Sequence, residues 1–165
     1  MKPRAVLIGP PAAGKSRLGR RIAARLGVGF VDTDKLVIAE HGPIPEIFDN
    51  VGEPTFRIWE RAAVVTALAT EGIVALGGGA ILDVDTRLDL SGHNVILITA
   101  TPEAIESRLT AGNRPLLSDG IESWKRLVAL RQPIYDELSR FTVDTSKGTM
   151  DAIADEIANR LMVAS

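Results

Sequence analysis

The sequence predicts an α/β fold built around a parallel sheet. Short apolar runs alternate with longer helical patterns, and the first run ends in a glycine loop that opens a helix. "AVLIG" (Ala5 to Gly9) reads as a buried strand, and the helix after it is expected from about Gly14 to Leu26–Gly27, with glycine as its stop. "GFVDTD" is a second short strand that ends in acids. Helical pieces follow at roughly Lys35 to Glu40, Pro45 to Asn50 and Pro54 to Thr70. In the last of these, Ile58, Ala62, Val65 and Ala69 form one apolar stripe, the pattern of a core-facing side. "GIVALGGGAIL" gives a third strand (Ile73 to Leu76) that runs into three glycines, and "NVILIT" gives a fourth. Pro102 to Thr110 reads as a helix, "FTVDT" as a fifth strand, and "TMDAIADEIANRLM" as a closing amphipathic helix. The segment "AGNRPLLSDG" between two helices has loop chemistry and an arginine, so it is a lid candidate covering about 111–120.

Composition narrows the class. A chain of 165 residues suits one domain, 1–165, with a single core. Hydrophobic residues make up 45% and charged residues 24%, the balance of a globular protein. A formal net charge of −2 gives no footprint for nucleic acid or for a membrane surface. Cysteine is absent, which excludes disulfides, thiolate metal sites and thiol catalysis. The apolar run in "MKPRAVLIGPP" is too short for a signal peptide, and no stretch reaches the roughly 18 apolar residues of a spanning helix. A cytoplasmic protein is the expectation. Of nineteen basic residues fourteen are arginine, whose planar fork suits carboxylate and phosphate.

The chemistry-bearing residues cluster at strand ends. "GPPAAGKS" matches G-x-x-x-x-G-K-[ST] between a predicted strand and a predicted helix, the context a phosphate-binding loop requires. Backbone N–H groups of such a loop cradle phosphates, Lys15 reaches the β- and γ-phosphates, and the Ser16 hydroxyl ligates Mg²⁺. Ala12 stands where another glycine is customary, so a positive φ there would store strain. Asp32 and Asp34 are two apart at a strand end and in extended geometry share a face. One would support the Mg²⁺ shell and the other accept a proton from an attacking hydroxyl; the alternative is an N-cap for the helix at Lys35. Gly77 to Gly79 admit a close backbone approach to a ligand. Arg57 and Glu60 are three apart on one helix, so the glutamate can aim the guanidinium. Arg114 falls in the lid candidate and Arg131 on the helix after it, while His41 and His93 stand alone.

Taken together, "GPPAAGKS", "DTD", "GEPTFRIWE", "LGGGA", "NRPLL" and "RQPIY" resemble the shikimate kinases, small phosphate-loop kinases of the nucleoside-monophosphate-kinase type, over nearly the whole chain. The resemblance implies strand order 2-3-1-4-5 and transfer of the ATP γ-phosphoryl group to the 3-hydroxyl of shikimate, in aromatic amino-acid biosynthesis. It implies that Gly9, Ala12, Ala13, Gly14, Lys15, Ser16 and Arg17 hold the nucleotide, with Mg²⁺ on Ser16 and Asp32. Asp34 would bind the ring hydroxyls and act as, or near, the base. Arg57 and Arg131 would clamp the substrate carboxylate, and Gly78 and Gly79 would line the ring. Phe48, Phe56, Pro115 and Leu116 correspond to apolar walls, Arg108 to the residue under adenine, and Arg114 to the lid arginine that stabilises the transferring group. The chain departs from the pattern at Ala12, at Arg17 (usually a small hydroxyl residue) and at Met150 (often proline). A monomer binding ATP and shikimate, and neither nucleic acid nor membrane, is expected. The rivals are a related small-metabolite kinase, such as a gluconate kinase, and a nucleotide-binding regulatory module without phosphotransfer.

Overall fold

A computed structural model describes residues 1–111 and 120–164. Its five strands are β1 (Ala5–Ile8), β2 (Phe30–Asp32), β3 (Ile73–Ala75), β4 (Val95–Thr99) and β5 (Phe141–Asp144). All pair in parallel, in the order β2-β3-β1-β4-β5. β1, buried along all four of its residues, is the middle of the sheet. Its side chains alternate between two cores, as the two-residue period of a strand demands. Ala5 and Leu7 pack with Ile73, Ala75, Ile96 and Ile98 on one face; Val6 and Ile8 pack with Val74, Val95 and Leu97 on the other.

Helices cover both faces. On the first lie α1 (Lys15–Leu26), through Leu18 and Ile22, and α8 (Met150–Val163), through Ile153, Ile157 and Leu161. On the second lie α4 (Glu53–Leu68), α5 (Val84–Leu90) and α7 (Ile121–Leu138), through Val64, Leu90 and Tyr135. The remaining helices are α2 (Thr33–His41), α3 (Ile44–Val51) and α6 (Pro102–Ala111). A small core of Val37, Ile47, Phe56 and Ala63 joins α2, α3 and α4 beside the sheet. The stops read from sequence hold at α1, where Gly27 takes φ 66 and its N–H returns to Ala23 and Ala24.

Three sequence expectations are corrected. The stripe Ile58, Ala62, Val65 and Ala69 faces outward, with Ile58 69% and Val65 52% exposed. The face that buries is Phe56, Glu60, Ala63, Val64 and Ala67, set two residues away and so turned about 200° around the axis. Phe56 is the larger anchor, and only this rotation brings Arg57 and Glu60 to the sheet end. Second, α2 begins at Thr33, so Asp34 lies in its first turn and does not share an extended face with Asp32. The Asp32 carboxylate starts the helix early by capping it. Third, α5 and a single 3₁₀ turn at Ala80–Leu82 occupy a stretch with no expected element. There the Asp83 side chain accepts from the Thr86 N–H, a cap signal within "DVDT".

Among the described residues, no helix is long and apolar enough to cross a membrane. The carboxyl ends of β1, β2 and β3 lie side by side, which is where open α/β sheets place their ligands.

Candidate active site

The loop from Gly9 to Gly14 leaves β1 and enters α1. Ala12 adopts φ 66, the only non-glycine positive φ among the described residues, and it is almost wholly buried. A Cβ in that left-handed region costs about 1–2 kcal/mol. The loop offsets the strain by satisfying its carbonyls one by one. Lys15 Nζ donates to Gly9 O at 2.8 Å and to Pro10 O at 3.0 Å. Trp124 Nε1 donates to Pro11 O at 2.9 Å, and Arg108 Nη1 donates to Ala12 O at 2.9 Å. The Thr145 hydroxyl donates to Ala13 O at 2.7 Å. With its oxygens turned outward onto these donors, the loop keeps a concavity of about 220 Å³, lined by Gly14, Lys15, Ser16, Arg17 and Asp32 among others. Such a nest at a helix N-terminus suits an anion.

Asp32 resolves the two readings of "DTD" by performing both kinds of contact. Its Oδ1 accepts from the N–H groups of Asp34 at 2.9 Å and Lys35 at 3.4 Å, capping α2. Its Oδ2 accepts from the Ser16 hydroxyl. A serine hydroxyl and a carboxylate, held together at the rim of an anion nest, are the hard oxygen donors that a Mg²⁺ ion accepts alongside phosphate and water. Among the described residues no group of three or more His, Cys, Asp or Glu is placed to hold a metal by itself.

A second cleft, about 240 Å³, adjoins the first. Its walls are Ile44, Phe48, Phe56 and Leu127, its floor is Gly78 and Gly79, and its charges are Asp34, Arg57, Glu60 and Arg131. Phe48 and Phe56 meet edge-to-face with centroids 5.0 Å apart. Arg57 Nη1 pairs with Glu60 Oε1 at 2.7 Å, and Glu53 holds the guanidinium's other edge, with Nη2 to Oε1 at 3.2 Å. Arg131 Nη1 donates to Gly78 O at 2.9 Å. A Cβ on Gly77 would overlap the Asp34 carboxylate, and one on Gly79 would overlap the Arg57 guanidinium. A side chain at either glycine would therefore displace the functional group beside it. Asp34, Pro11 and Gly78 line both clefts, so the two open into one another at Asp34.

Electrostatics single out the two acids. Burial, reinforced by the neighbouring Asp32 charge, pushes the Asp34 carboxyl above the usual range; Lys15, Arg57 and Lys35 oppose it without cancelling it. Glu60 is only 4% exposed, and its burial likewise raises its pKa despite the pairing with Arg57. Displaced carboxyl pKa values in a cleft are a mark of functional sites.

A model of the shikimate kinase family matches residues 11–162. The chain belongs to the shikimate kinase family. A shikimate kinase of Mycobacterium avium is 44% identical over 98% of this chain and 94% of its own length. One of Streptomyces avermitilis is 42% identical over 96% and 95%. The solved shikimate kinase from Acinetobacter baumannii in complex with shikimate superposes with a TM-score of 0.89 at 29% identity, covering 100% of this chain and 95% of that one. A gluconokinase from Sinorhizobium meliloti shares the fold, with a TM-score of 0.58 at 18% identity over 98% and 96%.

Within this family frame, the residues named from sequence fall into three groups. Gly9, Ala12 to Arg17, Asp32, Asp34, Phe48, Phe56, Arg57, Gly78, Gly79 and Arg131 belong to the loop or the two clefts. Arg108 stands between the loop and the chain after β5, its Nη2 donating to Thr145 O at 2.9 Å. Arg114, Pro115 and Leu116, with most of the lid candidate, lie outside the described residues. Sequence reasoning missed Trp124, Thr145 and Thr33. The Thr33 hydroxyl is fully buried and accepts from the Gly77 N–H at 2.9 Å, tying "DTD" to the triple glycine. For Thr33 a signal existed, since it sits inside a motif already singled out. For Trp124 and Thr145 none did, because each reaches the loop across more than a hundred residues of chain.

Proposed function

We propose that this protein transfers the γ-phosphoryl group of ATP to the 3-hydroxyl of shikimate, giving shikimate 3-phosphate and ADP. The observation that carries the reading is the shared boundary of the two clefts: an anion nest and a cleft with two arginines meet at one half-buried acid, Asp34. ATP occupies the nest with its phosphates on the loop N–H groups, and Lys15 exchanges its loop carbonyls for phosphate oxygens. Mg²⁺, held by Ser16 and Asp32 through the nucleotide, would neutralise phosphate charge. The shikimate carboxylate is taken by Arg57 and Arg131, whose forks permit bidentate contact. Its ring lies over Gly78 and Gly79 between the Phe48 and Phe56 walls.

Asp34 accepts the 3-hydroxyl proton as the oxygen attacks the γ-phosphorus. One O–P bond forms, the bond to the β,γ-bridging oxygen breaks, and ADP carries away the negative charge. The raised pKa of Asp34 makes it a better proton acceptor than an exposed aspartate, provided it is ionised when substrate binds. Arg114, in a lid covering about 111–120 of this single domain, completes the charge stabilisation on closure. Positioning and electrostatics then supply the catalysis.

A coupled assay of ADP release tests this directly. With ATP and Mg²⁺, shikimate should drive turnover, and neither gluconate nor a nucleoside monophosphate should. Turnover with gluconate alone would reassign the acceptor, and nucleotide binding without turnover on any acceptor would leave a regulatory module.

A further inference from the structure

Trp124 is used by neither cleft, yet it is 3% exposed and aims its only polar atom at the phosphate loop. Its indole N–H donates to Pro11 O, and its ring packs in a small cluster with Ala12, Ala100 and Ile105. Pro11 is the residue immediately before the left-handed Ala12, and it lines both clefts. Trp124 also shares a face of α7 with Leu127 and Arg131, at i, i+3 and i+7, and those two line the second cleft.

We propose that Trp124 is a positioning residue for nucleotide binding, acting through the Pro11 carbonyl to hold Ala12 in its left-handed conformation; this rests on the assignment of the nest to ATP. An alanine released from such a conformation moves to negative φ, which rotates the flanking peptide groups and takes their N–H groups off the phosphate. Glycine has no such bias, since it populates positive and negative φ about equally. The three braces on the carbonyls of residues 11 to 13 come from α7, α6 and the chain after β5, and only that of Trp124 is a single neutral donor placed at the residue preceding the strain. Where a glycine would adopt the conformation unaided, this chain needs an external clamp.

The test replaces Trp124 by Phe, which keeps a ring and removes the donor. ADP affinity, measured by titration calorimetry, should fall about fivefold, the worth of one hydrogen bond. Shikimate affinity without nucleotide should stay within about twofold, because Arg131 keeps its own bond to Gly78. In the Ala12→Gly background the same substitution should weaken ADP by less than about twofold, since the bias it opposes is gone. Equal losses in both backgrounds, no loss in either, or parallel losses of ADP and shikimate would each overturn the proposal, the last by making Trp124 a mere anchor for α7. Should Trp124→Phe fold poorly, benzothienylalanine at position 124 replaces the N–H by sulfur with the ring system intact and must give the same losses. Failure of wild type to bind ADP at all would instead sink the assignment of the nest.

Discussion

At Asp34, burial and the Asp32 charge outweigh three nearby cations, so the fold pays to keep this carboxylate ionised. Between the ordinary aspartate pKa of about 3.9 and the raised folded value, the native state binds more protons than the unfolded one. Stability contributed at this position is therefore lost as pH rises through that window, and the cost remains above it. Asp34→Asn should accordingly raise the Tm relative to wild type at pH 7.5, with the advantage vanishing below about pH 3.9. Thermal melts of both proteins across pH check this; an equal or lower Tm of the variant at pH 7.5 would show that the site is not strained by its charge. The acid limb of wild-type kcat/KM should likewise lie above the ordinary aspartate pKa. Arg57 offers a second residue-scale prediction. Arg57→Lys retains the charge but cannot bind Glu53, Glu60 and a carboxylate at once, so KM for shikimate should rise about tenfold or more. An unchanged KM would remove Arg57 from the clamp.

Helix α4 shows where sequence reasoning stops. Its existence, its bounds to within two residues and the Arg57–Glu60 pairing were legible, because helical spacing alone brings residues three apart together. Its orientation was not. Two apolar stripes run along it, and the choice between them depends on what Phe56, Ala63 and Val64 meet on α2, α3 and the sheet, which is tertiary information. The same limit hid α5, whose apolar residues Val84 and Leu88 stay exposed while its cap and a single Leu90 anchor it. Strands fared better: all five were visible, β1, β3 and β4 because a covered parallel strand is a plain apolar run, and the partly buried β2 and β5 as short runs that end in acids. The orientation of α4 predicts unequal costs. Ile58→Ala should change stability by less than about 0.5 kcal/mol, whereas Val64→Ala, at a fully buried position, should cost roughly 1.5–3 kcal/mol. Urea unfolding of the two variants checks it, and similar costs would mean that the outward stripe is covered in solution.

At the scale of the whole molecule, the parallel sheet does the positioning. Because β2, β3 and β1 are adjacent and end together, the acid after β2, the glycines after β3 and the loop after β1 converge without any one of them being near another in sequence. Thr33 and Asp32 lock this convergence, one to Gly77 and one to Ser16. The sequence motifs disclosed the members of the site; the adjacency of strand ends, and the carbonyl braces from Trp124, Arg108 and Thr145, needed the fold. The central claim is that phosphoryl transfer occurs where the two clefts meet, with Asp34 taking the proton. Rapid-quench measurement of the transfer step in Asp34→Asn, with ADP and shikimate affinities determined on the same protein, tests it most directly. Transfer should fall about 10²–10⁴-fold while both affinities stay within about tenfold; transfer at the wild-type rate would contradict the account.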